Sequence, residues 1–310
     1  MCIGECMVEL ARGPDRRFGL ALGGDSFNTA VYLARAGVST AYLTALGDDP
    51  YSEAILNLAA AENVDTSAIM RLPGRVPGLY LIETDEAGER TFYYWRETSP
   101  ARDVFSGGGA ASVQPHLTGA ALIYFSGITL WCYAKDGLEA FLSTIETARA
   151  RGAKIAFDSN YRIRLWGSDK EPVRTIFSAA IALADIVLPS LDDDRLLWGD
   201  HSAEGTLRRY AEAGVQEIAV KDGAGGVSIL QAAQLRHVPV PTKINPVDTT
   251  AAGDSFNAAY LAARLAGHAQ EQAVLFGHRL AAIVVSHRGA IVPHAATASL
   301  FSELRGAQPL

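Results

Sequence analysis

Short apolar runs recur along the chain at residues 3–10, 41–46, 121–125, 154–157, 185–188 and 217–220, and several are followed by apolar residues at helical spacing. Runs of this kind suit strands buried on both faces. Their alternation with helical stretches predicts a mainly parallel sheet covered by helices on each side, an α/β architecture. Between residues 70 and 96 the pattern changes. GLYLIETD and ERTFYYWR are two β-rich segments separated by Glu86, Ala87 and Gly88, which reads as a hairpin. Together with the segment around 16–22, the hairpin predicts a small β layer outside the main sheet, placed as a lid. The 310 residues read as a single domain, with lid segments near 11–22 and 70–105. The run at 106–109, Ser-Gly-Gly-Gly, is a flexible surface loop rather than a domain boundary, and no internal repeat is present.

The most informative stretch is 246–267, PVDTTAAGDSFNAAYLAARLAG, where an extended segment turns into a long apolar-faced helix. Ala251, Ala252 and Gly253 leave the backbone N–H groups of the helix start open to an anion, and the positive end of the helix dipole adds to the attraction. Asp254 stands at the head of that turn. A carboxylate there repels phosphate, so its placement makes sense for a base acting on an attacking hydroxyl; the plainer alternative is an acid that stabilises the helix dipole. A GxxxxGK[ST] loop is absent and no strand is followed by GxGxxG. The nearest stretch, 220–226, lacks the third glycine and lies between two β-like segments, where a tight turn is the alternative reading.

Composition narrows the partners. The formal net charge is −7 and the basic residues are scattered, so no nucleic acid is expected. No apolar run is long enough to span a membrane, and the N-terminus lacks a cleavable leader pattern, so a cytoplasmic location without membrane contact is expected. Cys2, Cys6 and Cys132 form no paired framework and no zinc-ligand spacing.

Two signatures then coincide. Residues 23–30, Gly-Gly-Asp-Ser-Phe-Asn-Thr-Ala, continuing to Gly37 and Gly47, and residues 248–254, Asp-Thr-Thr-Ala-Ala-Gly-Asp, resemble the sugar-side and anion-hole patterns of the ribokinase-like, or PfkB, carbohydrate kinases. The resemblance runs from about Gly4 to Pro293. It implies a three-layer sandwich with a central, mainly parallel sheet, a β lid, ATP with Mg²⁺ near the C-terminal half, and an acceptor under the lid. On that resemblance Gly24, Asp25, Asn28, Tyr80 and Tyr94 bind the acceptor, Asp254 is the base, and residues 251–253 with Arg162 stabilise the moving phosphoryl group. Asn160, Ser190, Lys221, Gly223, Gly226, Gly253 and His278 fall on the ATP side, with a hydrogen-bonded helix histidine as the alternative for His278. Residues 190–193, Ser-Leu-Asp-Asp, stand where many relatives have Asn-x-x-Glu, so Asp193 is the candidate magnesium ligand, directly or through water. Ala251 replaces the usual glycine, at little cost if its φ is negative. The resemblance also implies a homodimer or higher homo-oligomer. Monovalent-cation activation, seen in parts of the family, is left open by the side chains.

The lid narrows the acceptor. Tyr94 and Arg96 fall on one face of a strand, and an arginine fork beside an aromatic suits an acceptor that carries a carboxylate. Arg162 follows a buried strand, at the end where open α/β sheets gather ligands. An arginine along its own sheet edge and an arginine in a surface loop are the plainer alternatives. With GECMVEL at 4–10, YWR at 94–96 and NYR at 160–162, the chain resembles the 2-keto-3-deoxygluconate kinase branch. That branch implies phosphorylation of 2-dehydro-3-deoxy-D-gluconate at O6. Its galactonate epimer, a neutral sugar such as fructose or ribose, and a non-catalytic sugar-acid sensor remain as alternatives.

Overall fold

The chain begins by crossing between two sheets. In the computed structural model, which describes residues 1–13, 15–84, 90–231 and 234–306, the apolar run at 3–10 is not one strand. β1 (Cys2–Ile3) lies inside the main sheet, paired in parallel on both sides, whereas β2 (Met7–Arg12) and β3 (Phe18–Gly23) form an antiparallel pair in a second sheet. Glycines make the crossing possible. A Cβ on Gly4 would collide with the Ser26 hydroxyl, and one on Gly24 with the carbonyl of Glu5.

Beyond the helix Asp25–Arg35 come β4 (Thr40–Leu46), β5 (Val64–Asp65) and β6 (Ile69–Arg71) of the main sheet. The chain returns to the second sheet for β7 (Leu79–Thr84) and β8 (Arg90–Trp95). The hairpin turn expected at 86–88 lies outside the described residues, but its two strands pair antiparallel from Leu79–Trp95 to Thr84–Arg90. The main sheet then takes β9 (Leu122–Ser126), β10 (Lys154–Asp158), β11 (Ile186–Val187), β12 (Glu217–Lys221), β13 (Val227–Gln231) and β14 (Gln234–Val238). Its order is β14–β13–β12–β11–β10–β9–β1–β4–β5, with β6 also on β4; pairing is parallel apart from the β12–β13–β14 meander. The smaller sheet runs β3–β2–β7–β8.

This lid ends sooner than the sequence pattern suggests. After Trp95 the chain turns back into the body, where Val104 and Phe105 are buried and Phe105 packs edge-on against Tyr133 and Phe141. The stretch after Trp95 therefore joins the body rather than the lid, Glu97 and Thr98 staying exposed, because burying Val104 and Phe105 contributes about 1.5–3 kcal/mol each. One core lies on each face of the main sheet. Phe27, Tyr32, Tyr260 and Leu280 mark one, and Phe125, Phe141, Phe157 and Phe177 the other.

The sheet grows in opposite directions from its centre, β1 to β4 and β5 on one side and β9 to β12 on the other. Between β1 and β9 lies the reversal point, and the carboxyl ends of strands at such a point leave a crevice. No helix among the described residues is long and apolar enough to cross a membrane.

Candidate functional site

Two helix starts face one another across that crevice. Asp25 opens the helix Asp25–Arg35 and Asp254 sits in the first turn of Ala252–Leu265; the two helices pack together. Asn28 Nδ2 donates to Asp254 Oδ2 at 2.8 Å, and Thr29 Oγ1 donates to the Asp254 carbonyl at 3.2 Å. Asp25 Oδ2 accepts from Ser126 Oγ, at the end of β9, and from Asn160 Nδ2 at 2.8 Å. Burial, then the neighbouring Asp25 charge, pushes the Asp254 carboxyl up to about 7, against the Asn28 hydrogen bond. Asp25 is raised by burial as well, against its hydrogen bonds from Ser126, Ser26 and Asn160. A carboxylate poised near neutrality within reach of a crevice has the properties of a general base.

The turn before Asp254 differs from expectation in one respect. Ala251 caps the helix with φ of 59°, in the left-handed region, so the alanine is strained where a glycine would not be. Ala252 N–H also reaches back to the Thr249 carbonyl at 3.3 Å, while Gly253 and Asp254 carry first-turn N–H groups without an intrahelical acceptor. Lys221 lies beside this turn. Its Nζ is 2.9 Å from Asn257 Oδ1 and 3.3 Å from Asp158 Oδ1, and a Cβ on Gly253 would stand 3.7 Å from it. Asn257 Nδ2 in turn holds Asp158 Oδ2 at 2.8 Å. An ammonium beside first-turn N–H groups gives this end of the crevice the features of an anion site.

Several residues read toward nucleotide make contacts within the protein. His278 is buried, its Nε2 3.2 Å from the Val238 carbonyl and its ring edge-on to Phe256; burial lowers its pKa, so it serves as a neutral core histidine joining its helix to β14. Asn160 commits its amide to Asp25. Gly223 and Gly226, with φ of 47° and 102°, shape the β12–β13 hairpin turn, closed by Asp222 N–H on the Gly226 carbonyl at 2.8 Å. Ser190 begins the helix Leu191–Trp198 and bridges to Lys221.

The lid presents its inner face to this crevice. Glu9, Tyr80 and Tyr94 lie in register there, and Tyr80 donates to Glu9. Burial raises the Tyr94 phenol, opposed by the charges of Arg96, Arg162 and Arg164, and the Arg96 guanidinium lies over its ring at 5.7 Å. Arg162 is 47% exposed and places Nη1 3.2 Å from both oxygens of Asp193. Arg96 does not stand open as a free fork. It is 1% exposed, ion-paired with the equally buried Glu5, and stacked over Trp131 at 4.9 Å. Arg96 and Tyr94 nevertheless line a cavity of about 440 Å³ with Trp131, Arg164 and Leu165.

Asp158, Asn257, Ser126, Glu5 and Arg164 complete the constellation without having been assigned roles from sequence. Asp158 had a usable signal, as the last residue of a buried strand pointing at the crevice. For Glu5 and Arg164 the partners, Arg96 and the Phe92 carbonyl at 3.3 Å, are distant in sequence. Among the described residues no three His, Cys, Asp or Glu side chains gather as a metal cluster. Magnesium in phosphate-transfer sites is held largely by substrate phosphates with one or two carboxylates, and Asp193, mostly buried beside the anion site, fits that donor set.

The sequence pattern of the pfkB family of carbohydrate kinases matches residues 1–297. The chain is 43% identical over 302 residues to the 2-dehydro-3-deoxygluconokinase of Escherichia coli K12, covering 95% of this chain and 97% of that protein. It is 42% identical to the 2-dehydro-3-deoxygluconokinase of Dickeya dadantii, covering 94% and 96%. The crystal structure of a PfkB protein from Polaromonas sp. JS666 superposes with a TM-score of 0.81 at 27% identity, covering 96% of this chain and 98% of that one.

Proposed function

The chain belongs to the pfkB family of carbohydrate kinases, and from that premise we propose that it transfers the γ-phosphoryl group of ATP to O6 of 2-dehydro-3-deoxy-D-gluconate, giving 2-dehydro-3-deoxy-6-phospho-D-gluconate. The likeness to two kinases of that name over nearly their whole length supports the substrate. The observation that carries the chemistry is Asp254, a carboxylate pushed up to about 7 beside an anion-binding helix start.

In this reading the acceptor lies between the lid face of Tyr80 and Tyr94 and the floor of Gly24, Asp25 and Asn28. Asn28 holds Asp254 toward the primary hydroxyl. Asp254 takes the proton of O6 as O6 attacks the γ-phosphorus in line and the bond to the ADP oxygen breaks. The N–H groups of Gly253 and Asp254, together with Lys221, stabilise charge on the phosphoryl oxygens in flight. Arg162 leaves Asp193 to bridge the acceptor and the phosphate. Asp193 would then hold Mg²⁺, directly or through water, and the ion would neutralise phosphate charge. A reaction that consumes ATP fits a cytoplasmic location.

The outer lid face supports association between copies of the chain. Leu20 and Trp95 are 54% and 59% exposed there, in register with Leu10, Leu81 and Leu79, and apolar patches of this kind mark interaction surfaces.

A second reading, a neutral-sugar acceptor, draws on the Glu5–Arg96 pair, which neutralises the lid arginine. A coupled ATP-to-ADP assay with Mg²⁺ separates the two. Run on 2-dehydro-3-deoxygluconate, its galactonate epimer, fructose, ribose and no acceptor, it should show turnover confined to the keto acids. Turnover on fructose or ribose with none on the acids would overturn the acid reading.

A further inference from the structure

All four passages of the chain between body and lid converge on Glu5. Glu5 itself lies in the first, between β1 and β2. In the second, between β3 and the helix at Asp25, Gly24 packs so closely on the Glu5 carbonyl that no Cβ fits. The third enters β7 at Gly78, where a Cβ would stand 2.6 Å from Glu5 Oε1 and 3.1 Å from Arg96 Cβ; the Gly78 carbonyl accepts from Val8 N–H at 2.9 Å. In the fourth, directly after β8, Arg96 forms its ion pair with Glu5 Oε2. Cys132 and Trp131, from one body helix, close the far side: Cys132 Sγ is 3.6 Å from Glu5 Oε2, and the Trp131 ring lies under the Arg96 guanidinium.

The pair is unsaturated. Among the described residues Glu5 Oε1 and Arg96 Nε are buried without a hydrogen-bond partner, so the guanidinium keeps donor capacity while Glu5 holds it. Nε and the paired Nη2 share one edge of the planar guanidinium, and the single contact with Glu5 leaves that edge half used. The guanidinium lies over the Tyr94 ring at 5.7 Å, and the two share a cavity at the lid's edge strand with Arg164, which sets Arg96 directly behind the inner lid face.

We infer that Glu5 is a positioning residue for acid recognition: it fixes Arg96 at the root of the lid, so that seating the lid and meeting the acceptor carboxylate become one event. The inference rests on the keto-acid reading above. It accounts for a fully buried ion pair at a hinge, where two apolar residues would pack as well but would orient nothing.

The test compares 2-dehydro-3-deoxy-D-gluconate with 3-deoxy-D-fructose, in which CH₂OH replaces the carboxylate. Glu5→Gln keeps the shape and removes the charge. It should raise KM for the acid about tenfold or more, with KM for ATP and KM for the neutral analogue changed less than about threefold. Gly78→Ala, which presses on both Glu5 and Arg96 Cβ without altering any charge, should shift KM the same way, and Glu5→Asp carries the test if Glu5→Gln does not fold. Glu5→Asp should recover part of the loss. An equal loss on both acceptors, or no loss on the acid, would overturn the positioning role. Wild-type turnover on the acid tests the functional reading separately; if it is absent, both fall, and if it is present, the variant ratios judge Glu5 alone.

Discussion

Asp254 is held where its charge is costly, and that cost is what makes it useful. Burial and Asp25 raise its pKa from 3.8 to about 7. As a base it must be ionised, so kcat/KM should rise with pH through about 7 and fall about tenfold per unit below it. A profile flat from pH 5.5 to 8.5 would remove it from that role. Stability runs the other way. Between 3.8 and about 7 the unfolded chain ionises Asp254 while the folded chain keeps it protonated, so this group's contribution to stability is present below 3.8 and lost as pH rises to about 7. Asp254→Asn should therefore lower kcat at least about 10²-fold. The same variant should unfold at higher temperature than the native chain at pH 8, by roughly 1–4 kcal/mol of added stability. That gap should close near pH 4, where both side chains are neutral. Thermal melts at the two pH values check it, and a destabilised variant at pH 8 would contradict the balance argued here.

The helix start is the element that sequence made most legible, and also where one backbone detail escaped it. Small residues before an apolar-faced helix leave first-turn N–H groups open, and the run Ala-Ala-Gly ahead of Asp254 reads from sequence as an anion site on that ground. The sign of φ at Ala251 is not written in that run. At 59° it costs an alanine about 1–2 kcal/mol, while a glycine would lose about 0.4–1 kcal/mol through its freer unfolded chain. Ala251→Gly should thus stabilise the protein by about 0.5–1 kcal/mol with activity retained, as denaturant unfolding would register. A similar limit applies to the first strand. Residues 3–10 are uniformly strand-like, and only the close approaches at Gly4 and Gly24 reveal that the run changes sheets halfway. Periodicity reports which residues form strands; which sheet they join depends on contacts far away in sequence.

At the scale of the molecule, the lid is a second sheet whose inner face is a largely buried cluster of Met7, Tyr80, Ile82, Phe92 and Tyr94 with Glu9 among them, and whose outer face carries exposed apolar side chains. Association through that outer face predicts that Leu20→Glu, remote from Asp254 and the anion site, shifts the chain to monomer in sedimentation velocity at micromolar concentration. A native chain that is already monomeric there would remove the interface. The same sheet explains the difference over Arg96. Strand alternation put Arg96 on the inner face with Tyr94, and both line the cavity, but no pattern within the strand announces that Glu5, 91 residues away, neutralises it.

Sequence by itself determined the α/β class, the parallel core strands, the lid hairpin, and the two motifs that bear Asn28 and Asp254, because periodicity, small-residue runs and charge placement are local properties. Tertiary structure alone decided what each charge faces: Asp25 against Asp254, Lys221 against Asp158, Glu5 against Arg96, His278 against the Val238 carbonyl. Electrostatic and hydrogen-bond energies depend on distances between groups that the chain brings together only by folding, and those distances set which carboxyl is raised and which arginine is held.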